Sequence, residues 1–200
     1  MIAITNRWSE PSARDGPGSL SFYVRHRMRT LSPDEQREFR QKHLAHRLTL
    51  LRCYSSRRAE GFAWTTRGDL FRCAKDSALI SIRLLLSAMG LKGYFDQKTK
   101  DFILIENTRL RNCRDYDDIL IDQLGGELPD VNSLSLTPVQ ARLLAGVSKR
   151  ADKELAHLTA TFNDEFNKDA TVDEAAQLVV KLLDDHLYEK VVEQMPPIDT

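Results

Sequence analysis

Three short motifs mark where helices of this chain begin. In each, a Ser or Thr is followed three residues later by Glu or Gln, so that each side chain accepts a hydrogen bond from the other residue's backbone N–H. The motifs are Ser32–Glu35, Thr137–Gln140 and Thr171–Glu174, and the first two carry a proline at the first helical position. They predict helices over roughly 33–54, 138–166 and 172–195.

The apolar stretch at 78–91 indicates a fourth helix, which starts near Asp69 and ends at Gly90, because glycine is a common C-terminal cap of helices. The stretch spans 14 residues and contains Arg83, whereas a membrane-spanning helix needs roughly 20 apolar residues. It therefore predicts a buried helix rather than a membrane span. The charge of Arg83 is expected to be paired in the core, and the acidic second half offers Asp117, Asp118, Asp184 and Asp185.

Two further segments complete the outline of the fold. A short helix is predicted over 116–124, while 102–107 is expected to be helix or extended linker, because one strand cannot form a sheet. Together these elements predict an all-α fold, an antiparallel bundle of four to five helices in a single domain over 21–195. Residues 1–20, rich in Gly, Pro and Ser, are expected to form a loose arm, and 196–200 a tail.

The cysteines and the first residues favour a cytoplasmic protein. None of the three cysteines lies in a C-x-x-C pair, so they are expected to be reduced and structural. The first residues lack the basic-then-apolar order of a secretory signal.

Charge is divided unevenly along the chain, although the formal net charge is zero. Residues 1–100 carry 19 Lys and Arg against 9 Asp and Glu, and residues 101–200 carry 10 against 20. Two interpretations stay open: the halves neutralise each other, or the basic half meets an anionic partner such as nucleic acid. The candidate nucleic-acid-binding residues are Arg52, Arg57, Arg58, Lys149 and Lys153. Few aromatic residues accompany the arginines, so no stacking platform for single strands is predicted.

Several segments carry a family resemblance: IRLLLSAMGL from Ile82 to Leu91, Asp101-Phe102, Tyr116-Asp117-Asp118, and KELAHLT ending at Thr159. Over about 70–165 they resemble the HEPN (higher eukaryotes and prokaryotes nucleotide-binding) superfamily. The resemblance implies a four- or five-helix bundle, often a homodimer, and in many members metal-independent RNA cleavage with an R-x(4–6)-H motif on a late helix. That motif maps onto Arg150 and His157. The departure is Ala151, where active members usually carry a polar residue.

Arg150 and His157 are therefore the candidate catalytic residues. In an uninterrupted helix they lie on one face about 10.5 Å apart along the axis. His157 would act as general base or acid at the 2′-hydroxyl or the leaving oxygen, and Arg150 would stabilise the phosphorane charge. The spacing alone is not diagnostic, since two Arg–His pairs between Arg37 and His46 fit the same motif.

No metal and no cofactor is predicted. His43 and His46 with Cys53 lack a fourth ligand at suitable spacing, and the chain has no phosphate-binding or dinucleotide-binding loop. Two non-catalytic alternatives stay open. An interaction module would bind RNA, DNA or an acidic protein through the basic half, and its salt-sensitive binding would survive loss of His157. A scaffolding protein would show no such binding.

Overall fold

The computed structural model describes residues 30–59, 68–108, 111, 119–152 and 164–191, with the side chains at 56–59, 68–72, 164 and 167 excepted. Within these ranges the chain forms four helices and one two-stranded antiparallel hairpin. The prediction of a mainly helical fold is confirmed. The prediction of an all-α fold is wrong, because the chain also contains a two-stranded sheet. The expected arm at 1–20 and tail at 196–200 lie outside the described residues.

The first helix, α1, has three consecutive parts: Pro33–Glu38, a π-helical turn Phe39–Leu44, and Ala45–Ala59. It starts where predicted, because the Ser32 hydroxyl accepts from the Glu35 N–H at 3.3 Å and the Glu35 carboxylate accepts from the Ser32 N–H at 2.9 Å. A π-helical turn accommodates an extra residue, and such turns are frequent at functional sites.

Three more helices follow along the chain. They are α2 (Gly68–Ala88), α3 (Pro138–Arg150) and α4, which runs from Asp169–Leu183 through a π-helical turn Asp184–Tyr188 to Glu189–Val191. α2 contacts α1, α3 and α4. Its side chains Leu79, Ile82 and Leu86 are completely buried, so α2 is the central helix that its apolar sequence predicts. In the described part of the chain, no helix combines the length and apolarity needed to cross a membrane.

The hairpin follows α2 directly. Strand β1 (Leu91–Asp96) pairs antiparallel with β2 (Asp101–Glu106), and Gly93 stands opposite Leu104. The sheet packs on α3, where β1 approaches so closely that a Cβ at Gly93 would overlap the Ala145 carbonyl. The expectation of helix or linker at 102–107 is therefore wrong, because the partner strand lies just before this segment in the sequence.

Several predicted helix boundaries differ in the structure, and the first is the end of α1, which lies at Ala59 rather than at 54. The α-helical part of α3 ends at Arg150 and continues as π-helix at 151–152, and Asp164–Asn167 forms a 3₁₀ turn. The part of the predicted helix at 153–163 lies outside the described residues. Of the predicted 116–124 helix, the described residues are helical only at Ile121–Leu124, again as a 3₁₀ turn. α4 begins at Asp169 rather than after Thr171, because the Thr171 hydroxyl donates to the Glu165 carbonyl at 3.2 Å and caps no helix.

Arg83 also differs from its prediction. Its side chain is 43% exposed and forms an ion pair with Asp152, just after α3. The expected partner Asp185 instead pairs with Lys181 at 3.0 Å, and Asp117 and Asp118 lie outside the described residues. α2 therefore carries Arg83 on a half-exposed side, and the core holds no charge at this position.

Two long-range hydrogen bonds join distant parts of the chain at one turn of α1. The Arg40 guanidinium donates to the Leu124 carbonyl at 2.6 Å, and the Tyr188 hydroxyl donates to the Arg40 carbonyl at 3.3 Å. Arg40 and Tyr188 are both buried, so these bonds are shielded from water. The 3₁₀ turn at Ile121–Leu124 and α4 are thus both hydrogen-bonded to Arg40 in α1.

Candidate nucleic-acid interface

A cavity of about 580 Å³ opens between α1 and the C-terminal half of α2. The wall formed by α1 carries basic and imidazole side chains: Lys42, His43, His46 and Arg47. The floor formed by α2 is mainly apolar, with Leu84, Leu85 and Ala88. We call this feature the α1–α2 cleft. Its volume lies in the range of roughly 300–1,000 Å³ that is usual for ligand sites.

Helical spacing brings these side chains together on each wall. Positions 42 and 46, and 43 and 47, are four residues apart, so they share one face of α1, and the π-helical turn begins just before them. Leu84 and Ala88 share a face of α2 for the same reason. At the cleft wall the Phe39 and His43 rings are in contact, with centroids 4.9 Å apart and planes at 38°.

Among the described residues, no carboxylate of residues 101–200 forms an ion pair with a cation of the cleft. Lys42 pairs with Glu38 at 2.8 Å on its own helix, and this contact lowers the pKa of the Glu38 carboxyl, chiefly through the hydrogen bond from Lys42. Arg47 makes no hydrogen bond or ion pair in the described part of the chain. Ion pairs between the two halves, such as Lys75 with Asp169, involve other residues. Among the described residues that line the cleft, Arg47 is therefore the one Lys or Arg without an ion pair.

The candidate catalytic Arg150 has a structural contact. Its guanidinium donates to the Phe166 carbonyl at 2.9 Å and so ties the end of α3 to the 3₁₀ turn before α4. Its neighbour Lys149 lies 3.9 Å from the Asp152 carboxylate, which also pairs with Arg83. His157 and Lys153 lie outside the described residues. The structure thus places one member of the predicted catalytic pair and leaves the pair itself a prediction.

Arg52 and Lys149, the predicted nucleic-acid-binding residues whose side chains are described, do not line the cleft. Arg52 is half-buried and lines a smaller cavity of about 310 Å³ between α1 and α4, together with Lys181 and Asp184. Arg57 and Arg58 belong to the backbone of α1, and their side chains are outside the described set. Lys42 and Arg47 were not among the predicted binding residues, although positions 42 and 46, and 43 and 47, have helical spacing.

The histidines of the cleft do not complete a metal site. His43 and His46 line the cleft, and Cys53 is exposed further along α1. Among the described residues, no three His, Cys, Asp or Glu side chains cluster closely enough to hold a metal ion.

Comparison with known proteins does not extend these observations. The chain matches no protein-family model, and neither curated proteins nor solved structures give a match. The HEPN relationship and the properties that it implies therefore stay predictions.

Proposed function

We propose that the protein is a non-catalytic module that binds RNA through the α1–α2 cleft. The observation that supports this proposal is the group of Lys42, His43, His46 and Arg47 around one cavity. Among the described residues, Arg47 has no ion pair and Lys42 pairs with Glu38 of its own helix. Protein affinity for nucleic acid comes largely from cations that replace the counterions of phosphates. The two imidazoles add groups that can hydrogen-bond to phosphate oxygens or base edges.

The cleft also predicts how binding responds to salt. For a single strand, the logarithm of the binding constant falls with the logarithm of salt concentration with a slope of roughly −0.7 for each neutralised phosphate. Lys42 and Arg47 both line the cleft, so one phosphate contact from each gives a slope of about −1.4. Losing one of the two cations lowers the magnitude of the slope by about 0.7.

RNA cleavage by Arg150 and His157 is the weaker proposal. The guanidinium of Arg150 is engaged by the Phe166 carbonyl, a contact that stabilises the fold and needs no substrate. Binding through the cleft requires neither residue. Incubation with RNA in EDTA, beside His157→Ala, separates the two proposals: the binding module leaves the RNA intact, and a metal-independent ribonuclease cleaves it only with His157 present.

Two expectations from the sequence accompany this proposal. A cytoplasmic location is supported by the exposed free thiols of Cys53 and Cys73, since such thiols persist in reducing compartments. A homodimer follows only from the HEPN resemblance, and sedimentation of the purified protein tests it.

The decisive experiment compares two charge reversals on one helix. Arg47→Glu changes the cleft, whereas Arg37→Glu changes an exposed arginine that pairs with Asp34 at 3.9 Å and does not line the cleft. Fluorescence anisotropy with a labelled 12-nucleotide single-stranded RNA is measured between about 50 and 200 mM salt. We expect Arg47→Glu to weaken binding at least about tenfold and to flatten the salt slope, and Arg37→Glu to weaken it less than about twofold. Equal effects, or no binding by the unchanged protein, contradict the proposal.

A further inference from the structure

We infer that the α1–α2 cleft takes one unpaired nucleobase of a single-stranded RNA. This inference rests on the proposed function, and it names the part of the RNA that the cleft recognises. Its basis is the difference between the two walls: α1 presents cations and α2 presents an apolar floor. A ligand that covers both walls needs an anionic part and a flat, largely apolar part.

The floor has apolar surface that the described residues leave partly exposed. Leu84 is 38% exposed, whereas Leu85 and Leu86 beside it on α2 are buried. Leu84 lines the cleft together with Ala88, so this surface faces a cavity. Covering it with a ligand removes apolar area from water, which favours binding.

The wall opposite the floor offers an aromatic surface and polar groups. The contacting rings of Phe39 and His43 both line the cleft. Unpaired RNA bases are commonly held by stacking on aromatic side chains, with hydrogen bonds to their edges. Ser87 and His46 also line the cleft and can supply such hydrogen bonds.

Other occupants match only one of the two walls. Inorganic phosphate would satisfy Lys42 and Arg47 and leave Leu84 exposed. A purely apolar ligand would cover Leu84 and leave Arg47 without an ion pair among the described residues. Duplex RNA keeps its bases paired and stacked, so only its phosphates can reach the rim of the cleft. A nucleotide of a single strand fits both walls, with its base in the cavity and its flanking phosphates on α1.

The test uses a matched pair of variants on α2. Leu84→Ala removes part of the floor, while Ile80→Ala truncates a side chain one turn earlier that is 37% exposed and does not line the cleft. A third variant, Ala88→Phe, fills the cavity. Circular dichroism first checks that each variant keeps its helical content.

Anisotropy is measured with a labelled single strand and with the same strand in a blunt duplex. We expect the unchanged protein to prefer the single strand at least about fivefold, Leu84→Ala and Ala88→Phe to lose that preference, and Ile80→Ala to keep it. A 2-aminopurine base in the single strand should change its emission on binding to the unchanged protein and not to Ala88→Phe. Equal affinity for single strand and duplex, unchanged by Leu84→Ala, overturns the base-binding inference and leaves RNA binding intact. If the unchanged protein binds no RNA, both proposals are overturned.

Discussion

Replacing Arg150 by Met separates a structural arginine from a catalytic one. The change keeps most of the aliphatic stem and removes the guanidinium that donates to the Phe166 carbonyl at 2.9 Å. A hydrogen bond from a charged group contributes roughly 1.5–3 kcal/mol net, and the partly buried setting of this one places it near the lower end. We therefore expect Arg150→Met to lower the free energy of unfolding by about 1.5 kcal/mol.

Thermal unfolding translates this loss into a measurable shift. For a chain of 200 residues, each kcal/mol moves the midpoint by roughly 2–4 °C, so Arg150→Met should lower Tm by about 3–6 °C. The control is Arg37→Met, an exposed substitution expected to change stability by less than about 0.5 kcal/mol. RNA affinity of Arg150→Met should equal that of the unchanged protein. An unchanged Tm together with loss of an RNA-cleaving activity would refute the structural role of Arg150 and restore the catalytic one.

Three further predictions follow from other contacts. Gly93→Ala should destabilise the protein by at least about 1–3 kcal/mol in urea unfolding, because the added Cβ meets the Ala145 carbonyl; an unchanged midpoint would contradict the close packing of β1 on α3. Arg142 donates to Asp101 and Glu165, at 2.6 Å each, and lowers the pKa of both carboxyls. Because these pKa values are lower in the folded state, the stabilisation is present above about pH 4.5 and lost as pH falls through the lowered values, and Arg142→Gln should flatten the acid side of a stability–pH curve. Thr137→Ala should cost about 1 kcal/mol by removing the cap of α3, as measured by urea unfolding, whereas Thr171→Ala removes no cap.

Local signals in the sequence predicted the helix starts that depend on local contacts. The capping boxes at Ser32 and Thr137 need only neighbouring residues, and both form as expected. The box at Thr171 fails because distant residues compete for it: Asp169 at the start of α4 binds Lys75 at 2.6 Å, and the Thr171 hydroxyl turns to Glu165. Tertiary contacts therefore move a helix start that the local pattern alone places later.

The hairpin escaped prediction for a similar reason. Lys92 and Gly93 interrupt the apolar character of β1, so the segment gives little strand signal by itself. The glycine is explained only by α3, whose backbone passes against it. Because β1 was not predicted, the apolar segment of β2 had no partner strand, and no sheet was predicted.

The candidate site was half visible in the sequence. The spacing of Lys42, His46 and Arg47 was available, but the apolar floor opposite them depends on how α2 packs against α1. The number of Lys and Arg residues also overstates the basic surface, because Arg40 is only 8% exposed and its guanidinium donates to the Leu124 carbonyl. A sequence reports how many cations a chain has and not how many reach the surface.

The bonds at Arg40 bear on how the protein folds during its synthesis. The Arg40 carbonyl receives the hydroxyl of Tyr188, which is added 148 residues later. At a translation rate of roughly 5–20 residues per second, Tyr188 is synthesised about 7–30 s after Arg40, so this hydrogen bond cannot form earlier. α2 also packs on α4, so the apolar side of α2 stays partly exposed until α4 has left the ribosome. We expect the nascent chain to need protection from aggregation during that interval, and a chain shortened before α4 to remain incompletely folded.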